Sequence, residues 1–411
     1  KEFIMSKPRV AIVHYSSPPV IGGVEFILEA HAKEMLKHGY KVKVVAGRGE
    51  RFHKNIPVAI IPGADSLSKV NKEINAELER GVVSAKFYRL TDSIYRRLTQ
   101  ELKNVDLAII HNVLTMHFNL SFTAALEKYI REHPKKRFIA WCHDATFNDP
   151  IYKKKAKNRY PWNMISRPIP KVRYVAISCQ RQRQLSHLFQ INSKKITVVP
   201  DGIDHRSFLD LNEDALKIFK KFNLFNRELV ILLPTRMVKR KNLELAIKIT
   251  KELNKKLRST LIITGPPDPH NIDSMRYYRS LKDLRNKSRT KKKVIFLYEE
   301  GIKVDYSILR SLYLLCDMLL FPSTQEGFGI PLLESGLVNL PVACANIPSL
   351  KELGEKDVHY LDLKKSPREL ASGIIKYYRR QPTIPMFKKV LRNYTWESIF
   401  KQKIEPLLTK Q

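Results

Sequence analysis

Short apolar runs recur along this chain, each closed by a polar or glycine-containing turn and followed by a stretch with helical spacing. Residues 10–14 form the first run. A Ser/Pro turn and Gly22-Gly23 come next, and then Val24, Ile27, Leu28, Met35 and Leu36 fall mostly on one helical face. Gly39 is placed to end that helix, and residues 41–46 alternate as a strand does, which makes a βαβ unit. Runs at 105–110, 137–142 and 174–177 alternate with further helical stretches, the order that a parallel sheet covered by helices requires. A second series starts after Val198-Val199-Pro200-Asp201-Gly202, a Pro/Gly-containing connection that reads as a linker. Its strands are expected at 228–233, 260–264, 294–297 and 318–321, each followed by a turn and a helix.

The pattern predicts an α/β protein of two Rossmann-like doubly wound domains, 5–200 and 201–393, facing a central cleft. A length of 411 residues, more than one core usually supports, agrees with two domains. In such sheets ligands bind outside the carboxyl ends of the strands, so chemistry is sought in the loops that follow them. Residues 394–408, with Trp396, Ile399, Ile404 and Leu407 at helical spacing, read as a final helix. Lys1 to Ile4, ahead of Met5, read as an expression remnant, and no secretory signal is expected.

Hydrophobic content of 43% and charged content of 28% are ordinary, but a net charge of +34 is not, and it implies affinity for polyanions. Nucleic acid, an anionic membrane surface and phosphorylated small molecules are the candidates. The cations are scattered, with clusters at 153–157, 239–241 and 285–293 and no arginine-rich arm or zinc-binding spacing, so nucleic acid ranks below the other two. The four cysteines Cys142, Cys179, Cys316 and Cys344 are far apart among apolar residues and read as buried, reduced thiols of a cytoplasmic protein. No run of about 18 uncharged apolar residues occurs. The segment 152–160, YKKKAKNRY, followed by Pro161-Trp162, mixes cations with aromatics and reads either as a peripheral membrane contact or as a solvated loop.

Candidate chemistry concentrates at 321–342, FPSTQEGFGIPLLESGLVNLPV, where seven residues separate Glu326 from Glu334 across a Gly-Phe-Gly turn. Pro331 is placed as a first helical residue, which leaves Glu326 in a loop and Glu334 about one turn, ~4.5 Å, along the helix axis. Carboxylates so staggered suit hydroxyls on two parts of one ligand, and the free N–H groups of Phe328, Gly329 and Ile330 suit its anionic centre. The layout fits a nucleotide sugar. Gly22-Gly23 lets backbone amides approach a phosphate at a helix start, and the absence of a GxGxxG pattern speaks against a nicotinamide dehydrogenase. His143, after the run 137–142, is expected at the sheet's carboxyl edge, and His111 is a weaker candidate of the same kind. Arg236 and Lys241 follow the first strand of the second series, with Asn242 positioned to cap a helix.

Taken together, Glu326 with Glu334, Arg236 with Lys241, Gly22-Gly23-Val24-Glu25 and His143 resemble the E-x7-E, R-x4-K, donor-diphosphate loop and active-site histidine of retaining glycosyltransferases of the GT-B fold, glycosyltransferase family 4. The resemblance runs from Val10 to Leu408 and is strongest at 320–342. It implies a hexosyltransferase that uses a nucleoside diphosphate sugar such as GDP-mannose or UDP-glucose. Arg236, Lys241 and the Gly22-Gly23 amides would stabilise the departing diphosphate, Glu326 would hold sugar hydroxyls and Glu334 the ribose. The acceptor, an unknown hydroxyl compound, would lie on the first-domain side, and the final helix would cross back to that domain. The chain has no Asp-x-Asp pair, and the two cations would replace a metal. It departs from the family at Asn242, where glycine is common after the lysine, and at Tyr298, where glycine is more usual near the nucleotide base. Two competing readings stand beside this one: a glycoside hydrolase using Glu326 and Glu334, and a basic nucleic-acid-binding protein without catalysis.

Overall fold

A computed structural model describes residues 7–154, 156–268 and 273–409. Residues 1–4, expected to be a remnant, and Lys155 of the basic segment lie outside the described residues. The chain divides into two compact units, one comprising residues up to Ile203 together with those from Tyr394 onward, the other Asp204–Asn393.

In the first unit seven strands pair in parallel: β1 Val10–Ser16, β2 Val42–Arg48, β3 Val58–Ile60, β4 Leu107–His111, β5 Arg137–Cys142, β6 Val172–Ala176 and β7 Ile196–Val198, in the order β3-β2-β1-β4-β5-β6-β7. Side chains alternate across this sheet. Val10 and Ile12 of β1, Ile109 of β4 and Ile139 and Trp141 of β5 pack with Leu28, Ala32 and Met35 of the helix Gly23–Lys37. Ala11, Val13 and Tyr15 pack on the opposite face with Phe87, Phe122 and Tyr129. The final segment joins the first of these layers through Ile399, Phe400, Ile404 and Leu407, while Arg137 donates to the carbonyls of Leu407 and Leu408 at 2.8 Å.

Six parallel strands form the second unit: β8 Leu229–Leu233, β9 Ser259–Ile263, β10 Val294–Phe296, β11 Met318–Phe321, β12 Val342–Ala345 and β13 His359–Leu361, in the order β10-β9-β8-β11-β12-β13. Both sheets reverse their winding next to their first strand, between β1 and β4 and between β8 and β11. Loops leaving the carboxyl ends at such a reversal splay to opposite faces and open a crevice, so each unit carries one.

Two expectations need correction. The supposed linker begins in a strand, since Val198 ends β7, and Gly202 is packed so closely that a Cβ there would come 2.8 Å from Trp396. Cys179 is exposed, because it opens the helix Cys179–Phe189 after the capping residue Ser178, whereas the other three thiols are buried. Within the basic cluster 285–293, Arg285 is buried against Glu299 at 2.7 Å and lies over the Phe296 ring.

Candidate active site

In the second unit the crevice is built from the loops after β8 and β11. Beyond β8 the chain turns through Pro234 and Thr235 to Arg236 and then makes one 3-10 turn, Lys239–Lys241. Asn242 stands at the start of the helix Leu243–Leu253 but does not cap it with its side chain; its backbone is left-handed at φ 54°. That conformation explains why glycine is usual there and why asparagine, which tolerates it, is accommodated.

Lys241 reaches across to the β11 loop and places its ammonium 2.5 Å from Glu326 Oε1, with the Phe321 ring beneath it. Arg240 meets the other oxygen, Oε2, at 3.2 Å and also donates to the Gln325 carbonyl. Arg240 is not among the residues that the sequence singled out, since the run 239–241 reads there only as a basic cluster. Its signal was only the neighbouring lysine. Burial alone would raise the Glu326 carboxyl, but hydrogen bonding and charge from Lys241, aided by Arg240, bring it below the usual carboxylate range. Lys241, only 12% exposed, is lowered by burial against the pull of Glu326, and the charges of Arg240 and Arg236 add to that lowering. Arg236 does not join this cluster; it pairs with Asp268 at 3.2 Å and is 56% exposed.

Glu326 is followed by a turn that needs glycine. Gly329 has φ 110°, and a Cβ there would come 2.7 Å from Leu350. The helix it introduces, Ile330–Leu337, begins one residue earlier than expected, with Pro331 second. Among the described residues the N–H groups of Phe328, Gly329 and Ile330 donate to no protein acceptor, and Ser349 ties the loop by donating to the Glu326 carbonyl at 2.9 Å. Glu334 is held from the neighbouring helix Tyr306–Leu315, where the Tyr313 hydroxyl donates to Oε2 at 2.6 Å. Beside these groups Thr264, Gly265, Pro266 and Tyr298 line a cavity of about 620 Å³ that also takes in Arg236 and Lys303.

In the first unit His143 follows β5 and is buried beside His111, with Nε2 3.0 Å from His111 Nδ1. Burial pushes His143 down to about 3 and His111 well below its ordinary value, so both are neutral imidazoles. Gly22 precedes the helix Gly23–Lys37 in extended conformation, and its missing side chain makes room for Glu25, whose Oε2 would lie 2.1 Å from a Cβ. Glu25 in turn accepts from Ser16. Space at Gly23 is open, and the Gly22 and Gly23 amides donate to no protein acceptor among the described residues. Trp162, read with the basic segment as a surface aromatic, is buried and stacked on His117 at 5.5 Å. No group of three or more metal-ligating side chains occurs among the described residues, and no described helix is long and apolar enough to cross a membrane.

Two parallel doubly wound units in series, with charged loops at the winding reversals, define the GT-B class of fold. Residues 214–393 match the family described as Glycosyl transferases group 1, and residues 21–207 match Glycosyltransferase Family 4. The chain is similar to the mannosylglucosylglycerate synthase of Petrotoga mobilis, 24% identical over 84% of each chain. It is also similar to the enzyme of that name from Thermotoga maritima, 23% identical over 98% of this chain and 93% of the relative. A solved structure of Anabaena HepE with UDP and glucose covers 98% of this chain and 100% of its own, at 16% identity and a TM-score of 0.38. The chain belongs to the group 1, family 4 glycosyltransferases of the GT-B fold and is a hexosyltransferase.

Proposed function

We propose that this enzyme moves a hexose from a nucleoside diphosphate sugar to a hydroxyl acceptor with retention of configuration and without a metal. The observation that carries the reading is the clustering of Lys241, Arg240 and Glu326 beside three unengaged backbone amides. Anionic phosphate suits the amides and the ammonium, and the carboxylate oxygens suit sugar hydroxyls. Glu334, with one oxygen engaged by Tyr313, keeps the other for a ribose hydroxyl. The cavity lined by Tyr298 and Pro266 suits the base, and Arg236 at its wall suits the diphosphate. For the first unit, the family resemblance of Gly22, Gly23 and His143 proposes them as diphosphate and sugar contacts.

In the transfer step the acceptor oxygen bonds to the anomeric carbon on the face from which the phosphate oxygen departs. The acceptor's proton passes to that oxygen, so no protein carboxylate need form a covalent bond. The names of the curated relatives make GDP-mannose the first donor to test, with UDP-glucose beside it. Donor at 100 times its dissociation constant is expected to stabilise the protein by ~2.7 kcal/mol. Transfer read by NMR is expected to give the retained anomer at a rate that a chelator leaves unchanged. An inverted product, or cleavage of glycosides without nucleotide, overturns the reading.

A peripheral contact with an anionic membrane belongs to the same reading. Ile151 and Tyr160 are exposed beside Lys153 and Lys154. Neutralising Lys153, Lys154 and Lys157 is expected to abolish sedimentation with phosphatidylglycerol vesicles, and unchanged sedimentation removes the contact.

A further inference from the structure

Four histidines of the first unit, His14, His31, His111 and His143, form one cluster in which none is more than 5% exposed. Strand alternation brings three of them together. His14 continues the face of Ile12, His111 that of Ile109 and His143 that of Trp141, and β1, β4 and β5 are successive neighbours in the sheet. His31, on the covering helix, packs against Trp141 at 4.6 Å and His111 at 5.4 Å between ring centroids.

We propose that His111 fixes His143 as the tautomer protonated on Nδ1, so that His143 serves the transfer as a hydrogen-bond donor and not as a base. The functional half of this statement rests on the reading above that His143 contacts the sugar donor; the tautomer itself does not.

One proton lies on the 3.0 Å line between His111 Nδ1 and His143 Nε2. If it belonged to His143, the neutral His111 would carry its own proton on Nε2. That nitrogen is sealed in the core without a partner, and a proton there would add a further unpartnered N–H to those of the Trp141 indole and the His31 ring. A buried N–H without an acceptor is rarer in folded proteins than a buried acceptor with a spare lone pair. The proton therefore sits on His111 Nδ1, and His111 Nε2 keeps only a lone pair. His143 Nε2 accepts, and the remaining hydrogen of its neutral ring is on Nδ1, which makes no hydrogen bond to the described protein. The hydrogen bond made by one imidazole nitrogen decides the protonation of the other.

Both rings are held for this. The His111 carbonyl accepts the Nδ1–H of His14 at 2.9 Å, and its ring lies near-parallel to those of Trp141 and His143, at 21° and 20°. The His143 backbone donates to Asn112 Oδ1 at 2.8 Å and accepts from Arg181 Nε at 2.9 Å. His111 is thus a positioning residue, acting through His143.

Long-range nitrogen–proton NMR on protein labelled in its histidine rings tests the tautomer directly, with His143→Asn identifying the resonance. His143 protonated on Nδ1, the minor tautomer of the free histidine side chain, is the expected result; protonation on Nε2 overturns the proposal. Kinetics test the role. His111→Phe, which keeps a planar aromatic ring but has no proton to give, is expected to lower kcat ~10-fold or more with little change in donor KM, as loss of an orienting partner does. His111→Asn, whose amide nitrogen falls near the Nδ1 position, is expected to recover most of it. A folded His111→Phe enzyme with wild-type kcat overturns the donor role. Failure of every nucleotide sugar to react would sink the functional reading instead, with the NMR result still deciding the tautomer.

Discussion

Lys241→Ala is expected to lower kcat/KM for sugar transfer by about 10²–10³, or ~2.7–4 kcal/mol, the cost typical of removing one preorganised charge-stabilising donor from a shielded site. The effect is large because the ammonium is neither free nor solvated. It is packed over Phe321 and set 2.5 Å from Glu326 Oε1, with little of its surface exposed. A cation so placed needs no reorganisation when a leaving phosphate gains charge. Without it, the cation left to Glu326 among the described residues is Arg240, whose guanidinium is half exposed and approaches the other oxygen at 3.2 Å. Lys241→Arg is expected to restore little, because a planar fork does not fit the place of a compact ammonium. Steady-state kinetics of Lys241→Ala, Glu326→Gln and the double variant form a cycle. Coupling of ~0.5–3 kcal/mol between the two is expected for groups in direct contact. Wild-type turnover by the folded Lys241→Ala enzyme would remove the pair from the mechanism.

Lys388→Met is expected to destabilise the second unit by about 3–5 kcal/mol, the cost of leaving one partner of a buried ion pair uncompensated. Asp317 immediately precedes β11 with a side chain 1% exposed, accepting from Lys388 at 2.7 Å and from the Val230 N–H at 2.6 Å. Burial raises this carboxyl even with the lysine present. Once the lysine is gone it rises further. A folded-state value above the unfolded one means that the folded form binds the extra proton, so the penalty grows as pH rises above the unfolded carboxyl's range. The double variant Asp317→Asn, Lys388→Met is expected to recover most of the loss, since the amide oxygen still accepts from Val230. Hydrogen exchange over residues 204–393 reads the change, because all three tryptophans, Trp141, Trp162 and Trp396, belong to the other unit. A loss under ~1 kcal/mol would show that the pair is dispensable. Transfer per folded molecule is expected to stay unchanged, which separates this variant from Lys241→Ala.

The long strands were legible because their apolar runs are uninterrupted: 137–142 and 318–321 coincide with β5 and β11. The strands β3, β7, β12 and β13 were not, β12 being four residues and the others three each and largely half-exposed, too short to show a period. Glu326, Glu334 and the glycines between them were visible because a local turn and a proline-marked helix start place them, and local geometry is written in adjacent residues. Arg240 was not, since a run of three cations looks the same whether it meets solvent or a carboxylate 86 positions away. His143 was visible as a residue after a strand, yet nothing in its neighbourhood announced His111 Nδ1 as the atom that governs it.

By itself the sequence determined two α/β series, their turns and the residue types set at strand ends, because backbone preference and apolar spacing act over a few residues. Which charges meet was decided only when β8 came to lie beside β11 and β4 beside β5. Strand order is a property of the whole sheet, set by burying every apolar face at once. From that order follow the contact of Lys241 with Glu326, the diversion of Arg236 to Asp268 and the sealed line of histidines.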